Sequence, residues 1–249
     1  MRRSIARVLA IALLPAACIV AAGCGMLNTP SQVRNYYTID YTPRSSPPPG
    51  SRRPYPFVLQ VGRFDVERAA NRQNIVYRYS PHQLQYYERD RWAVRPEDMI
   101  RDMVHKHLEE ARLTRSLPRE FTDRRPDFRL EGMVDALERL DAGDLFFSHM
   151  AMTFKLIKAD TGDEVWSYAF DQRRRVAAAE MVKSVQALSD IFQSQMNIVV
   201  TQLDSLFAAA SGGVPLVPTP AASAAPPEPE PQPEGPALDE SSFEIIRER

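Results

Sequence analysis

Ala21-Ala22-Gly23-Cys24 carries the plainest chemistry in this chain. A basic start with Arg2, Arg3 and Arg7, an apolar run from Val8 to Val20, and small residues before a cut together form an export signal. Because the small residues end on a cysteine, the pattern is that of a bacterial lipobox. There the thiol is acylated, typically with palmitate, and cleavage before Cys24 makes it the new N-terminus. The position three before the cysteine is usually Leu, and here it is Ala21. Cys18 is the weaker candidate, since Pro15 would fill its corresponding position and cleavage there would leave Ile19-Val20 behind. A retained transmembrane anchor is disfavoured, because a span needs roughly 20 apolar residues and Pro15 interrupts this shorter run.

The other chemistry-bearing residues form no familiar constellation. Asp160-Thr161-Gly162 spells the aspartic-protease triplet, but that chemistry needs two carboxylates sharing a proton, and a turn between strands explains the triplet better. His105 and His107 are two apart on a predicted helix and so project from different faces, which argues against a shared metal. His82 and His149 have no ligand-spaced neighbour in sequence. There is no Gly-rich phosphate loop, no Gly-x-Ser-x-Gly elbow and no HExxH. The expectation is a protein without enzymatic activity, cofactor or metal. Removing the signal also leaves Cys24 as the one cysteine, so no internal disulfide can form and stability must come from a core.

Positioning falls to elements with two distinct periods. Strand-like alternation runs through Tyr37, Ile39 and Tyr41, through Phe57 to Val66, and through Ile75, Tyr77 and Tyr79 before Ser80-Pro81, resuming at Leu84 and Tyr86. Phe128, Leu130, Val134 and Ala136 are read as one face of a further strand, with Gly132 a bulge candidate. Phe146, Met150, Met152, Phe154 and Leu156 share a face of the next, and Trp166, Tyr168 and Phe170 of the one after. Helical spacing places Met99, Ile100, Met103, Val104, Leu108 and Ala111 on one stripe behind Pro96-Glu97-Asp98. A longer helix carries Met181, Val185, Leu188, Phe192, Met196, Val199, Leu203 and Leu206, with Lys183, Gln186, Gln193, Asn197 and Asp204 on its other side. The predicted fold is α+β, a mainly antiparallel sheet with two amphipathic helices packed on one face.

Charge divides the chain further. The whole has 31 basic and 32 acidic side chains; without the three signal arginines the net charge is −4. Residues 211–249 hold seven acids, two bases and nine prolines, a composition that favours extended polyproline II and cannot build a core. What remains is near neutral, which argues against nucleic-acid binding. The organisation expected is a lipoprotein signal peptide at 1–23, a lipidated tether at 24–35, a domain at 36–210 and a Pro-rich acidic disordered tail at 211–249. Fully extended, the tether could reach about 35 Å at roughly 3.3 Å per residue.

Leu59-Gln60-Val61, then Arg72-Gln73-Asn74-Ile75-Val76-Tyr77-Arg78, then Tyr86-Tyr87-Glu88, Arg91-Trp92 and a helix from Pro96 follow in order. That order resembles the ABC-type transport auxiliary lipoproteins, the PqiC-like family, across nearly all of 36–207. The family often has a proline between the first two of these strands; Asp65 to Asn71 has none, and the acidic tail lies outside the shared pattern. The resemblance implies a noncatalytic periplasmic subunit of an MCE-type ABC lipid transport system. Its partners would be an MCE-domain protein with its permease and ATPase, the membrane through the lipid anchor, and phospholipid, with homo-oligomerisation left open. Gly25 after the cysteine, rather than aspartate, points to the periplasmic face of the outer membrane. The resemblance singles out Arg72, Ile75, Val76, Arg78 and Trp92, whose simplest role is strand packing and surface pairing. The rival class is a structural or assembly lipoprotein that binds peptidoglycan or a secretion complex.

Overall fold

Segments with two-residue apolar alternation form strands, and the two segments with three-to-four spacing form helices. The structure is a computed structural model and describes residues 33–43, 52–119, 125–177, 179–213, 216 and 222–223. The chain divides into a unit of residues 1–35 and a unit from Tyr36 onward, and the second holds every regular element except the first residue of β1. In order these are β1 (Asn35–Tyr37), β2 (Tyr55–Val66), β3 (Asn74–Ser80), β4 (Gln83–Trp92), α1 (Pro96–Ala111), β5 (Thr114–Ser116), β6 (Phe128–Ala142), β7 (Leu145–Lys158), β8 (Glu164–Val176), α2 (Met181–Ser211) and β9 (Ala222–Ser223).

The α+β class holds, and the sheet is mixed. Antiparallel pairs join β3 to β4, β6 to β7 and β7 to β8, while β2 and β3 both lie parallel to β6. They share one edge of that strand: β2 pairs with Phe128–Val134 and β3 with Glu138–Leu140. The turns from Glu67 to Gln73 step the chain from one stretch of β6 to the next without reversing it. Apolar alternation reports which face a residue occupies and is silent on strand direction, so these parallel pairings leave no trace in the pattern.

Local geometry explains several departures from the sequence reading. Gly132 pairs in register with Phe154 and is no bulge; a Cβ there would lie 2.6 Å from Cε1 of Phe64 and 2.6 Å from the Thr153 carbonyl oxygen. It is glycine because the Phe64 ring rests on it. The bulge falls three residues later: Val134 pairs with Met152 and Ala136 with Ala151, leaving Asp135 as the extra residue. Beyond it Ala136 turns away from the core face and Leu137, 1% exposed, takes the inward place. β1 ends at Tyr37, and Ile39 is buried without belonging to a strand, its amide facing Met99 Sδ at 3.3 Å.

α1 starts with Pro96 in its first turn followed by Glu97 and Asp98, and ends on Arg112 in the left-handed region (φ 47°). α2 lies across β7 and β8, where Met181, Val185, Leu188, Phe192, Met196, Val199 and Leu203 are buried against the sheet. Near its end Phe207 is fully buried among the rings of Tyr55, Phe57 and Phe128, with centroids 6.2, 5.4 and 5.2 Å away. Asp204, placed by the sequence on the polar side, is buried. Its Oδ1 accepts a hydrogen bond from Arg53 Nε at 2.7 Å, and Arg53 also donates to the Ala111 carbonyl at 3.2 Å. Arg53 thus ties the ends of both helices to the start of β2.

Each charge of such a pair is stranded in a dry site if the other is removed, at a cost of about 3–5 kcal/mol, whereas apolar replacement of both is often near neutral. Asp204→Ala should therefore lower the chemical-denaturation midpoint sharply, and Arg53→Met combined with Asp204→Leu should recover most of the loss. A second expectation concerns acid. His107 is fully enclosed in α1 with Nδ1 2.8 Å from the Tyr41 hydroxyl, and burial pushes its pKa down to about 4, opposed by Asn197. Between pH 4 and 6.5 the unfolded chain binds the proton and the folded chain resists it, so stability rises with pH across that window. Each pH unit is worth about 1.4 kcal/mol, capping the loss below pH 4 at on the order of 3 kcal/mol. Unfolding curves of His107→Gln should be flatter over this range than those of the wild type.

Candidate functional site

The residues singled out from the sequence separate into two groups. Ile75, Val76 and Trp92 are buried in the core, 2%, 1% and 0% exposed, and the Trp92 amide donates to the Gln73 carbonyl at 2.6 Å. Arg72 and Arg78 pair at the surface: the Arg72 guanidinium sits 4.5 Å over the Tyr86 ring, and Arg78 Nε donates to Glu138 Oε2 at 2.9 Å. These five residues hold the β3–β4 hairpin against β6 and do not converge on a cleft. Cys24 lies outside the described residues.

A cluster that no residue spacing foreshadows spans the sheet face opposite α2. Arg78 of β3, Glu138 of β6, His149 of β7 and Asp171 of β8 form a continuous chain. The His149 ring bridges two carboxylates, with Nδ1 3.1 Å from Glu138 Oε1 and Nε2 2.9 Å from Asp171 Oδ1. Burial opposes the charge on Glu138, but hydrogen bonds from His149 and Arg78 outweigh it and hold its carboxyl below the usual glutamate range. Ser148, the neighbouring hydroxyl, points to the other face and donates to the Ser184 carbonyl at 2.8 Å. The His149 ring is thus occupied at both nitrogens with no nucleophile beside it, and the arrangement clamps four strands together. Among the described residues no three His, Cys, Asp or Glu side chains are placed to hold a metal ion.

One groove opens where the segment following β1 crosses the first half of α2. It has a volume of about 320 Å³ and is lined chiefly by Tyr36, Tyr37, Tyr41, Val182, Val185 and Gln186. The crossing is pinned by two bonds, the Asp40 amide donating to Ser189 Oγ at 3.3 Å and Gln193 Nε2 to the Thr42 carbonyl at 3.3 Å. Tyr36 and Val182 are about half exposed at its mouth. Its two carboxylates are engaged, Asp40 with Lys106 at 2.6 Å and Asp190 with Arg174 at 2.8 Å. Burial, and secondarily Asp40, raise the Tyr41 phenol far above its usual pKa, so it stays neutral. Such a groove can seat an apolar or aromatic group; it holds no activated nucleophile.

No curated protein matches this chain. Among solved structures, a Xanthomonas campestris protein of the DUF330 family superposes with a TM-score of 0.61 at 22% identity, covering 71% of this chain and 99% of its own. An uncharacterised protein superposes with a TM-score of 0.55 at 12% identity, covering 69% of this chain and 99% of its own. At those identities the likeness is one of fold. The sequence itself goes further: matched over residues 37–199, from the end of β1 into the third quarter of α2, the chain belongs to the ABC-type transport auxiliary lipoprotein component family.

Proposed function

We propose that the protein is the noncatalytic lipoprotein subunit of an MCE-type ABC lipid transport system. In this reading it is anchored through Cys24 to the periplasmic face of the outer membrane, where it docks the transport assembly and supports envelope integrity. The observation that carries the reading is the pairing of the family match over residues 37–199 with a lipobox ending at Cys24. A domain whose polar clusters are closed on themselves suits holding and positioning better than turnover. Its partners are an MCE-domain protein with its permease and ATPase, and the phospholipid they carry.

Lipid attachment makes physical sense of such a task. Each buried methylene contributes about 0.8 kcal/mol, so several acyl chains exceed the two-signal minimum for stable anchoring. The tether beyond the lipidated cysteine, Gly25 to Asn35, then confines the domain to within about 35 Å of the bilayer at roughly 3.3 Å per residue. Confinement raises effective concentration, so a modest interface can hold the partner without high intrinsic affinity.

Cys24→Ala tests the reading directly. The variant should keep its circular dichroism and thermal midpoint, leave the membrane fraction, lose crosslinks to the MCE-domain protein at low concentration and fail to restore envelope integrity to a deletion strain. Full restoration by the untethered form would refute the anchoring role. Crosslinks to peptidoglycan or a secretion complex, with none to an MCE-domain protein, would move the assignment to a structural or assembly lipoprotein.

A further inference from the structure

One face of β7 and β8 lies under α2, and no helix among the described residues covers the other. At the end of the sheet where β6 turns into β7, that open face is apolar. Strand alternation points Leu140 and Ala142 of β6 and Leu145 and Phe147 of β7 to it, and register sets Ala142 beside Leu145 and Leu140 beside Phe147. Leu145 is 40% exposed, while Leu140 and Phe147 are half-buried yet outside the hydrophobic core. β8 borders this strip with two cations: Arg175 pairs in register with Phe147, and Arg173 with His149. Both are exposed, and neither enters an ion pair among the described residues. Arg174 between them turns to the other face and reaches Asp190 of α2. On the far side the border is Arg78, in register with Leu140 and held by Glu138.

Width, length and charge select the occupant. Strands lie about 4.8 Å apart, so a strip two strands wide with charged borders matches one helix of about 10 Å diameter and is too narrow for a second sheet. From the Ala142–Leu145 pair to the Glu138–His149 pair the strip runs about 13 Å at 3.3 Å per residue, the rise of about nine helical residues. Arg173 and Arg175, two apart on one face of a strand, stand about 6.6 Å from each other, and residues four apart on a helix stand about 6 Å from each other. A helix laid along β6 and β7 with its apolar stripe down can therefore bring two carboxylates to the two guanidiniums at once. Among the described residues the chain itself exposes no such helix. The apolar stripe of α1 is buried in the core, and the outer side of α2 holds Lys183, Gln186, Ser194 and Asn197 with one exposed acid, Asp190, already held by Arg174.

We infer that this strip is the seat of a partner protein's amphipathic helix, one that carries two acids four residues apart beside its apolar stripe. The inference rests on the docking role proposed above and names the surface that performs it. The seat is short, so its intrinsic hold is weak and falls with salt, and confinement by the tether offsets that weakness.

Fluorescence anisotropy on the full mature chain carrying Cys24→Ala tests the surface apart from the anchor, so failure here is distinguishable from failure of the anchoring role. The probe is a peptide held helical by a hydrocarbon staple, with leucines on one face and two glutamates four apart beside them; its control has lysines in place of the glutamates. The acidic peptide should bind at least about tenfold more tightly at low salt, and Arg173→Glu with Arg175→Glu should reverse the order of the two peptides. Leu145→Ser should weaken both, and circular dichroism of every variant should match the parent, since all three positions are exposed. Equal binding of the two peptides, or binding of neither, would overturn the inference. So would self-association in sedimentation that the two arginine substitutions abolish, because the strip would then be a contact between copies. Arginine-dependent flotation with phosphatidylglycerol vesicles in place of peptide binding would overturn it too, by making the strip a lipid-facing surface.

Discussion

A length match governs this fold. α2 has 31 residues, about 46 Å at 1.5 Å per residue, and the three longest strands, β6, β7 and β8, have 15, 14 and 13 residues, about 43–50 Å at 3.3 Å per residue. One helix can therefore cover the full apolar face of the long meander. A shorter helix would leave one end of Met150, Met152, Phe154, Leu156, Tyr168 and Phe170 facing water. Burying that much aliphatic and aromatic surface, at about 25 cal/mol per Å², is the dominant favourable term, and everything else in the domain fits around it.

Polar contacts then fix where the helix lies. Ser148 bonds the Ser184 carbonyl, Tyr168 donates to Gln195 at 2.5 Å and Trp166 to Gln202 at 3.0 Å, so the hydroxyls and the indole of β7 and β8 meet α2 at intervals along its length. Burial alone would tolerate sliding by a turn; these bonds would all be lost by such a slide, leaving buried polar groups unpaired. Arg53 with Asp204 locks the far end, and the His149 bridge ties the opposite face of the same strands.

This architecture bears on the functional assignment. The titratable groups that tertiary structure gathers are consumed in pairs, His149 by two carboxylates and Arg53 by Asp204 and a carbonyl, so their chemistry is spent on rigidity. A stiff sheet fixed at several places suits a subunit that presents surfaces to a larger assembly, in keeping with an auxiliary lipoprotein family.

Apolar spacing alone determined the helices, most of the strands and their inward faces, because burial selects side chains at the period of the element that carries them. The class of fold and the turn at Asp160-Thr161-Gly162 were legible for the same reason: each follows from a local pattern. Only the tertiary structure decided that β2 and β3 share one edge of β6, that Gly132 makes room for Phe64, that Asp204 is buried against Arg53, and that Arg78, Glu138, His149 and Asp171 meet. Those residues lie tens to more than a hundred positions apart, and each alone reads as an ordinary surface charge or a small residue. Strand register and helix placement, set by long-range packing, are what bring them within hydrogen-bonding distance.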